Sequence, residues 1–274
     1  MKRNGFTIAE ALITMAIVGI VAALTIPTFI TDYRKQVDAK SLATAVSNFE
    51  TAMGTMIMKE GVYNLYETSA WEVLGGTPLG EASTETVEKY VARIGTVLKD
   101  AEHCEIMDVY DNTEGVAPIK SVTGGTPSSY FENFERPMAI SATDFVGIRS
   151  KNNIYWIYIN NAKGISSAET TEGKMLAQGS QLSSVSAVII IDVNGRQKPN
   201  MVARDLFMFF MSDIGTLYPV GGTDVEVFQE ALHGISIKRW DNVNSQFKCR
   251  DRNISSPGWG CTARLIENGY KMDY

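Results

Sequence analysis

The sequence predicts an α+β protein: a long amino-terminal helix, its first half transmembrane, packed through its second half on an antiparallel β-sheet headpiece. Three observations carry that expectation. Residues Ala11 to Ile30 form a run of twenty without a charge, rich in Ala, Ile, Val and Leu. An apolar stripe then continues at helical spacing as far as Ile57. From about Met138 the apolar residues gather instead into short runs with strand composition.

The averages alone suggest something plainer. The chain has 274 residues, 25 Lys and Arg against 31 Asp and Glu, a formal charge of −6 and 45% apolar residues. Mean hydropathy is close to zero. Such values exclude a collagen-like or long disordered chain, a polytopic membrane protein and, with three Cys, a disulfide-dense miniprotein. The acidic balance argues against nucleic acid as the main partner, because phosphate binding needs clustered Lys and Arg.

The amino-terminal segment departs from those averages. At about 1.5 Å per residue, a helix over Ala11 to Ile30 spans roughly 30 Å, the thickness of a bilayer core. Thr14, Gly19, Thr25, Pro27 and Thr28 interrupt it with the small and hydroxylated residues that packed membrane helices use at contacts. A basic start (Lys2, Arg3) before an apolar run is also the plan of a secretory signal peptide, and Val21-Ala22-Ala23 fits a signal-peptidase site. That plan has no use for Glu10, an acid that costs on the order of 3 kcal/mol deep in a bilayer. No Cys lies near the run, which excludes a lipoprotein anchor.

Gly5-Phe6-Thr7-Ile8-Ala9-Glu10, followed by the uncharged run, resembles the prepilin peptidase site of type IV pilins and type II secretion pseudopilins. The resemblance implies cleavage between Gly5 and Phe6, and N-methylation of the new terminal Phe6. Glu10 becomes the fifth mature residue and Pro27 the twenty-second. Glu10 is then an assembly residue, its carboxylate facing the terminal amine of a neighbouring subunit, since a buried charge is tolerated when paired. The alternative is an interfacial Glu that reaches to the headgroups. Pro27 removes a helical hydrogen bond and is expected to kink or locally melt the helix.

The expected organisation is a leader peptide over 1–5, a transmembrane assembly segment over 6–30 and an extracytoplasmic headpiece over 31–274. Lys2 and Arg3 against Arg34, Lys35 and Lys40 favour neither orientation. The resemblance supplies one: a single pass through the bacterial inner membrane, with the headpiece in the periplasm or at the cell surface. It implies as partners like subunits and other pseudopilins in a filament, prepilin peptidase, an inner-membrane assembly platform and the lipid bilayer, with no nucleic acid. The rival class is a secreted or membrane-anchored hydrolase with an ordinary signal sequence.

Past Ile30, the positions Phe29, Tyr33, Val37, Leu42, Val46, Phe49, Met53 and Ile57 make one stripe of an amphipathic helix, and Gly61 is a natural stop. Such a helix from Phe6 to Glu60 is roughly 80 Å long. A second helix is expected from Ser83 or Thr84, an N-cap candidate, to about Glu102, with Cys104 a small buried residue near its end. Leu74–Pro78 and Gly124–Pro127 read as loops. Strands are expected over Met138–Arg149, Ile154–Ile159, Ser186–Val193 and Leu206–Met211, and irregular chain from Ser212.

Two features in the headpiece invite chemistry. Asp192-Val193-Asn194-Gly195 looks like the start of a calcium loop, with Asp205 able to reach back to it. However, an EF-hand places Gly at its sixth position and Glu at its twelfth, where this chain has Gln197 and Ala203. Asn-Gly after a strand is also a hairpin signal. Asp192, Asn194 and Asp205 are therefore calcium candidates only, the turn is favoured, and no cofactor is expected. Cys249 and Cys261 lie in a Gly-, Pro- and Asn-rich tail whose ending, Gly260–Tyr270, resembles that of the same pseudopilins. Outside the cytoplasm they are expected to form a disulfide, the alternative being two free thiols.

Catalysis finds little to build on. His103 and His233 are the only histidines, and no Gly-x-Ser-x-Gly, P-loop or His-Glu-x-x-His motif is present. The scattered Trp71, Trp156, Trp240 and Trp259 fit packing better than a sugar platform. No enzyme is expected.

Overall fold

The computed structural model describes residues 7–106, 118–122, 144–151, 153–159, 185–195, 197–222, 240–241, 249 and 258–274, with backbone alone for 104–106 and 185–186. The expected loop at Gly124–Pro127, positions 138–143 of the first expected strand, and His233 lie outside those residues. The chain divides into two compact units, Met1–Val37 and Asp38–Tyr274.

Helix α1 (Ile8–Glu60) contributes to both units. In the first unit it is solvent-exposed: no residue from Thr7 to Val37 is buried. The helix continues through Pro27 without melting. Hydroxyls of Thr25, Thr28 and Thr31 bond back to the carbonyls of Val21, Thr25 and Pro27 at 2.8–2.9 Å.

In the second unit, α1 supplies one wall of the core. Ala39, Leu42, Ala45, Phe49, Ala52, Met53 and Met56 are buried there. The expected stripe holds at Leu42, Phe49 and Met53, with Val46 and Ile57 half-buried. Its early members Phe29, Tyr33 and Val37 are exposed, and alanines absent from it line the packed face. Small residues let the sheet approach: the Tyr155 hydroxyl donates to the Ala45 carbonyl at 3.1 Å, and its ring lies 4.9 Å from that of Phe49. The helix stops at Gly61 with φ of 68°, the left-handed conformation that glycine adopts without a Cβ clash.

Two short 3₁₀ turns and helix α2 (Ser69–Glu72) follow, then α3 (Thr84–Gly95). Ser83 caps α3, its hydroxyl accepting the Thr86 N–H at 3.3 Å. The helix ends at Gly95, seven residues before the expected Glu102. Asp100, at φ of 58°, redirects the chain, and Ala101–Ile106 become strand β1. Cys104 therefore lies in a strand and not at a helix end. Apolar periodicity misled here because Leu98 is buried from the turn after the helix.

The sheet is a six-stranded antiparallel meander in chain order: β1, β2 (Val146–Ser150), β3 (Asn153–Tyr158), β4 (Val185–Asp192), β5 (Leu206–Ser212) and β6 (Leu217–Pro219). Ile157, Ile189 and Phe209 stand in register on the α1 side. Their neighbours Trp156, Ile190 and Met208 are buried as well. Both faces being covered explains why β4 and β5 are nearly continuous apolar runs.

Two elements correct the expectation of irregular chain from Ser212. Edge strand β6 has three residues and ends at Pro219, which suits an edge because proline donates no ladder hydrogen bond. Helix α4 (Cys261–Glu267) has seven residues, too few for a periodic pattern to show. It also supplies Thr262, whose hydroxyl accepts the β5 N–H of Met208 at 3.2 Å.

Candidate functional site

The first candidate site is the amino-terminal helix. Gly5 and Phe6 lie outside the described residues. Thr7 and Glu10 form a capping box. The Glu10 carboxylate accepts the Thr7 N–H and hydroxyl, both at 2.8 Å, and the Thr7 hydroxyl accepts the Glu10 N–H at 3.3 Å. The reciprocal bonds satisfy helix N–H groups that have no partner within the helix. Thr7 was missed as a partner of Glu10, although Thr-x-x-Glu before an apolar run is the sequence signature of this cap. Beyond the cap, Leu12, Ile17, Ile20, Leu24 and Phe29 are all more than half exposed. The helix is long and apolar enough to cross a membrane, and none of its most apolar window is buried. Pro27 lies within that exposed helix.

The second is the 193–205 loop between β4 and β5. The structure brings Asp192, Asn194 and Asp205 together. Asp205 is fully buried, and its carboxylate accepts the Asn194 Nδ2–H at 3.1 Å, the Asn200 N–H at 2.9 Å and the Met201 N–H at 2.6 Å. Asp192 Oδ1 accepts the Asn194 N–H at 3.2 Å. Burial pushes the Asp205 carboxyl up to about 6, against the lowering effect of these donors. The Val193 N–H donates to the Asp205 carbonyl at 2.9 Å and closes the loop at its base. The connection is thus a long loop carrying a turn at Gly195 (φ 66°), and not a two-residue hairpin. Arg204 beside Asp205 pairs with Asp38 on α1 at 3.4 Å.

The third is the tail. Cys249 and Cys261 are joined by a disulfide that pins residue 249 to the start of α4. Arg264 on α4 lies over the rings of Trp240 and Tyr274, 5.2 and 5.5 Å from their centroids. It also pairs with Asp273 at 2.9 Å, and by donating to that carboxyl holds it below its usual range. The Tyr274 hydroxyl donates to the Ala203 carbonyl at 2.8 Å, so the tail ends on the 193–205 loop. Trp71, Trp156 and Trp259 are buried in the core. Among the described residues, no group of three or more His, Cys, Asp or Glu side chains is placed to hold a metal ion.

These three regions are held by hydrogen bonds, ion pairs, ring contacts and a disulfide. What they offer is an apolar helix with a capped terminus and a braced headpiece. Residues 1–26 match the prokaryotic N-terminal methylation motif. This is the prepilin-type motif of type IV pilins and pseudopilins. No curated protein matches the chain, and no solved structure does.

Proposed function

We propose that this chain is a structural subunit of a type II secretion pseudopilus or a type IV pilus-like filament. The methylation motif supports a type IV pilin-like or pseudopilin subunit, a structural class of protein. The observation that carries the reading is the union of that motif with an exposed apolar helix on the same residues. The stretch from Thr7 to Val37, which has no buried residue, needs an apolar environment, and lipid before assembly and like helices after it both supply one.

In this reading prepilin peptidase removes residues 1–5, and the amine of Phe6 is methylated. Loss of Lys2 and Arg3 takes the side chains to 23 basic and 31 acidic, from −6 to −8. The Glu10 carboxylate then pairs with a neighbouring subunit's terminal amine and sets axial register. The Asp38–Tyr274 unit faces the periplasm or the cell surface.

Mass spectrometry of the mature protein tests this directly. We expect a chain starting at N-methylated Phe6; a chain starting at Leu24 returns the protein to the class of secreted hydrolases. For the register role, Glu10→Ala should leave cleavage intact and abolish incorporation into filaments. Filaments at the parental level in that variant would refute it.

A further inference from the structure

We propose that the 193–205 loop is a metal-independent clasp, in which Asp205 gathers N–H donors where the sequence pattern suggests a calcium ion. The donor set is the observation. Asp205 Oδ2 receives the Asn194 Nδ2–H and the Asn200 N–H, Oδ1 receives the Met201 N–H, and Asp192 Oδ1 receives the Asn194 N–H. Each of these N–H groups directs its positive end at a carboxylate, which is the role a cation would play, and each would repel a cation placed there. Calcium takes about six to eight oxygen ligands. Apart from the carboxylates that already receive these donors, the loop's buried side-chain oxygens are Asn194 Oδ1 and Asn200 Oδ1, two against that number. The residues present do not fit the ion.

The clasp joins segments far apart in sequence. Lys120 N–H donates to the Asn200 carbonyl at 2.8 Å, and Val202 N–H to the Lys120 carbonyl at 2.9 Å, so residues 118–122 lie against the loop. Arg204 reaches Asp38, where α1 enters the packed unit, and Ala203 receives the Tyr274 hydroxyl. Asp205 holds its two neighbours Ala203 and Arg204 in place for both contacts, through backbone bonds that a periodic sequence pattern does not reveal. The clasp belongs to the Asp38–Tyr274 unit and stands apart from any filament role.

The test uses the full-length protein in detergent micelles. Its thermal unfolding is followed with EDTA and then with millimolar calcium chloride. We expect the same melting temperature in both, and likewise no calcium-dependent shift in Asp192→Asn, whose amide oxygen still accepts the Asn194 N–H. A rise of more than about 2 °C on adding calcium, absent in Asp192→Asn, overturns the proposal, because a ligand bound only to the folded state raises stability by mass action. Tyr274→Phe keeps the ring and removes the donor. In EDTA it should speed amide hydrogen exchange at 200–206 by several-fold, and unchanged exchange there sinks the tie to the tail.

Discussion

Helix α1 is one element under two sets of rules. Its first part, in the Met1–Val37 unit, is the more apolar and buries nothing. Its second part, from Asp38 to Glu60, carries more charge and supplies seven buried side chains to a core. Apolar content therefore does not report packing within the chain. What reports it is one-sidedness: Leu42, Ala45, Phe49, Ala52 and Met56 recur on one face, while Lys40, Thr51 and Met58 point away. A helix apolar all round is meant for another apolar medium, and one apolar on a single face is meant for its own sheet.

The sharpest way to break that comparison is a matched pair of truncations. Phe49→Ala removes a fully buried ring packed against that of Tyr155 and should lower unfolding free energy by about 3–5 kcal/mol. Leu12→Ala, at 63% exposed, should change it by less than about 0.5 kcal/mol in detergent. Chemical denaturation of the two variants gives both numbers. Comparable losses would mean that both parts of α1 belong to one core.

Next in size is the tail. Cys249→Ser with Cys261→Ser opens a link between residues 12 apart and should cost about 3 kcal/mol by the loop-closure argument. The loss should appear as a lower denaturant midpoint. Reduction of the parental protein should give the same midpoint; a midpoint that neither change moves would show that α4 holds the tail without the covalent link.

The two parts of α1 also differ in how well the sequence disclosed them. The stripe through Leu42, Phe49 and Met53 and the stop at Gly61 were legible because helical periodicity and glycine conformation are local properties. So were the cores of β3, β4 and β5, whose apolar runs are uninterrupted. Strand β1 was not, since Ala101-Glu102-His103 has no strand composition and is held by its place beside β2. Of the candidate sites, the disulfide and the Glu10 motif stood out in sequence. Asp205 was legible as a residue reaching back to Asp192–Gly195, but its role as a hub was not, because two of its three donors are the backbone N–H groups of Asn200 and Met201, which carry no residue identity. Arg264 between two rings and Asp273 was equally hidden, as it depends on where α4 settles.

Asp205 offers a pH test of the packed unit. Its folded carboxyl titrates at about 6, above its ordinary 3.8, because burial disfavours the charge. The folded state then binds this proton more tightly than the unfolded state. The contribution of Asp205 therefore becomes more favourable as pH falls from about 7 to about 4, by on the order of 3 kcal/mol. Asp205→Asn removes the titration, so the parental protein should gain stability relative to this variant over that window. Parallel pH profiles for the two proteins would contradict the burial argument. The exposed part of α1, with Glu10 in detergent at its end, is common to both proteins and cancels in the difference.

The smallest effect probes where one set of rules gives way to the other. Asp38 is the first residue of the packed unit, and its pair with Arg204 is mostly shielded, with side chains 14% and 17% exposed. Arg204→Gln keeps a donor near the position of Nε but removes the charge, and should cost about 1 kcal/mol, between the values for exposed and fully buried pairs. Hydrogen exchange locates the loss better than a melting curve does. Amides of residues 38–45 should exchange faster, while those near Phe49 and Met53 stay protected by the sheet. If exchange rises equally along 38–60, Asp38 does not mark the boundary, and the packed half of α1 opens as a single unit.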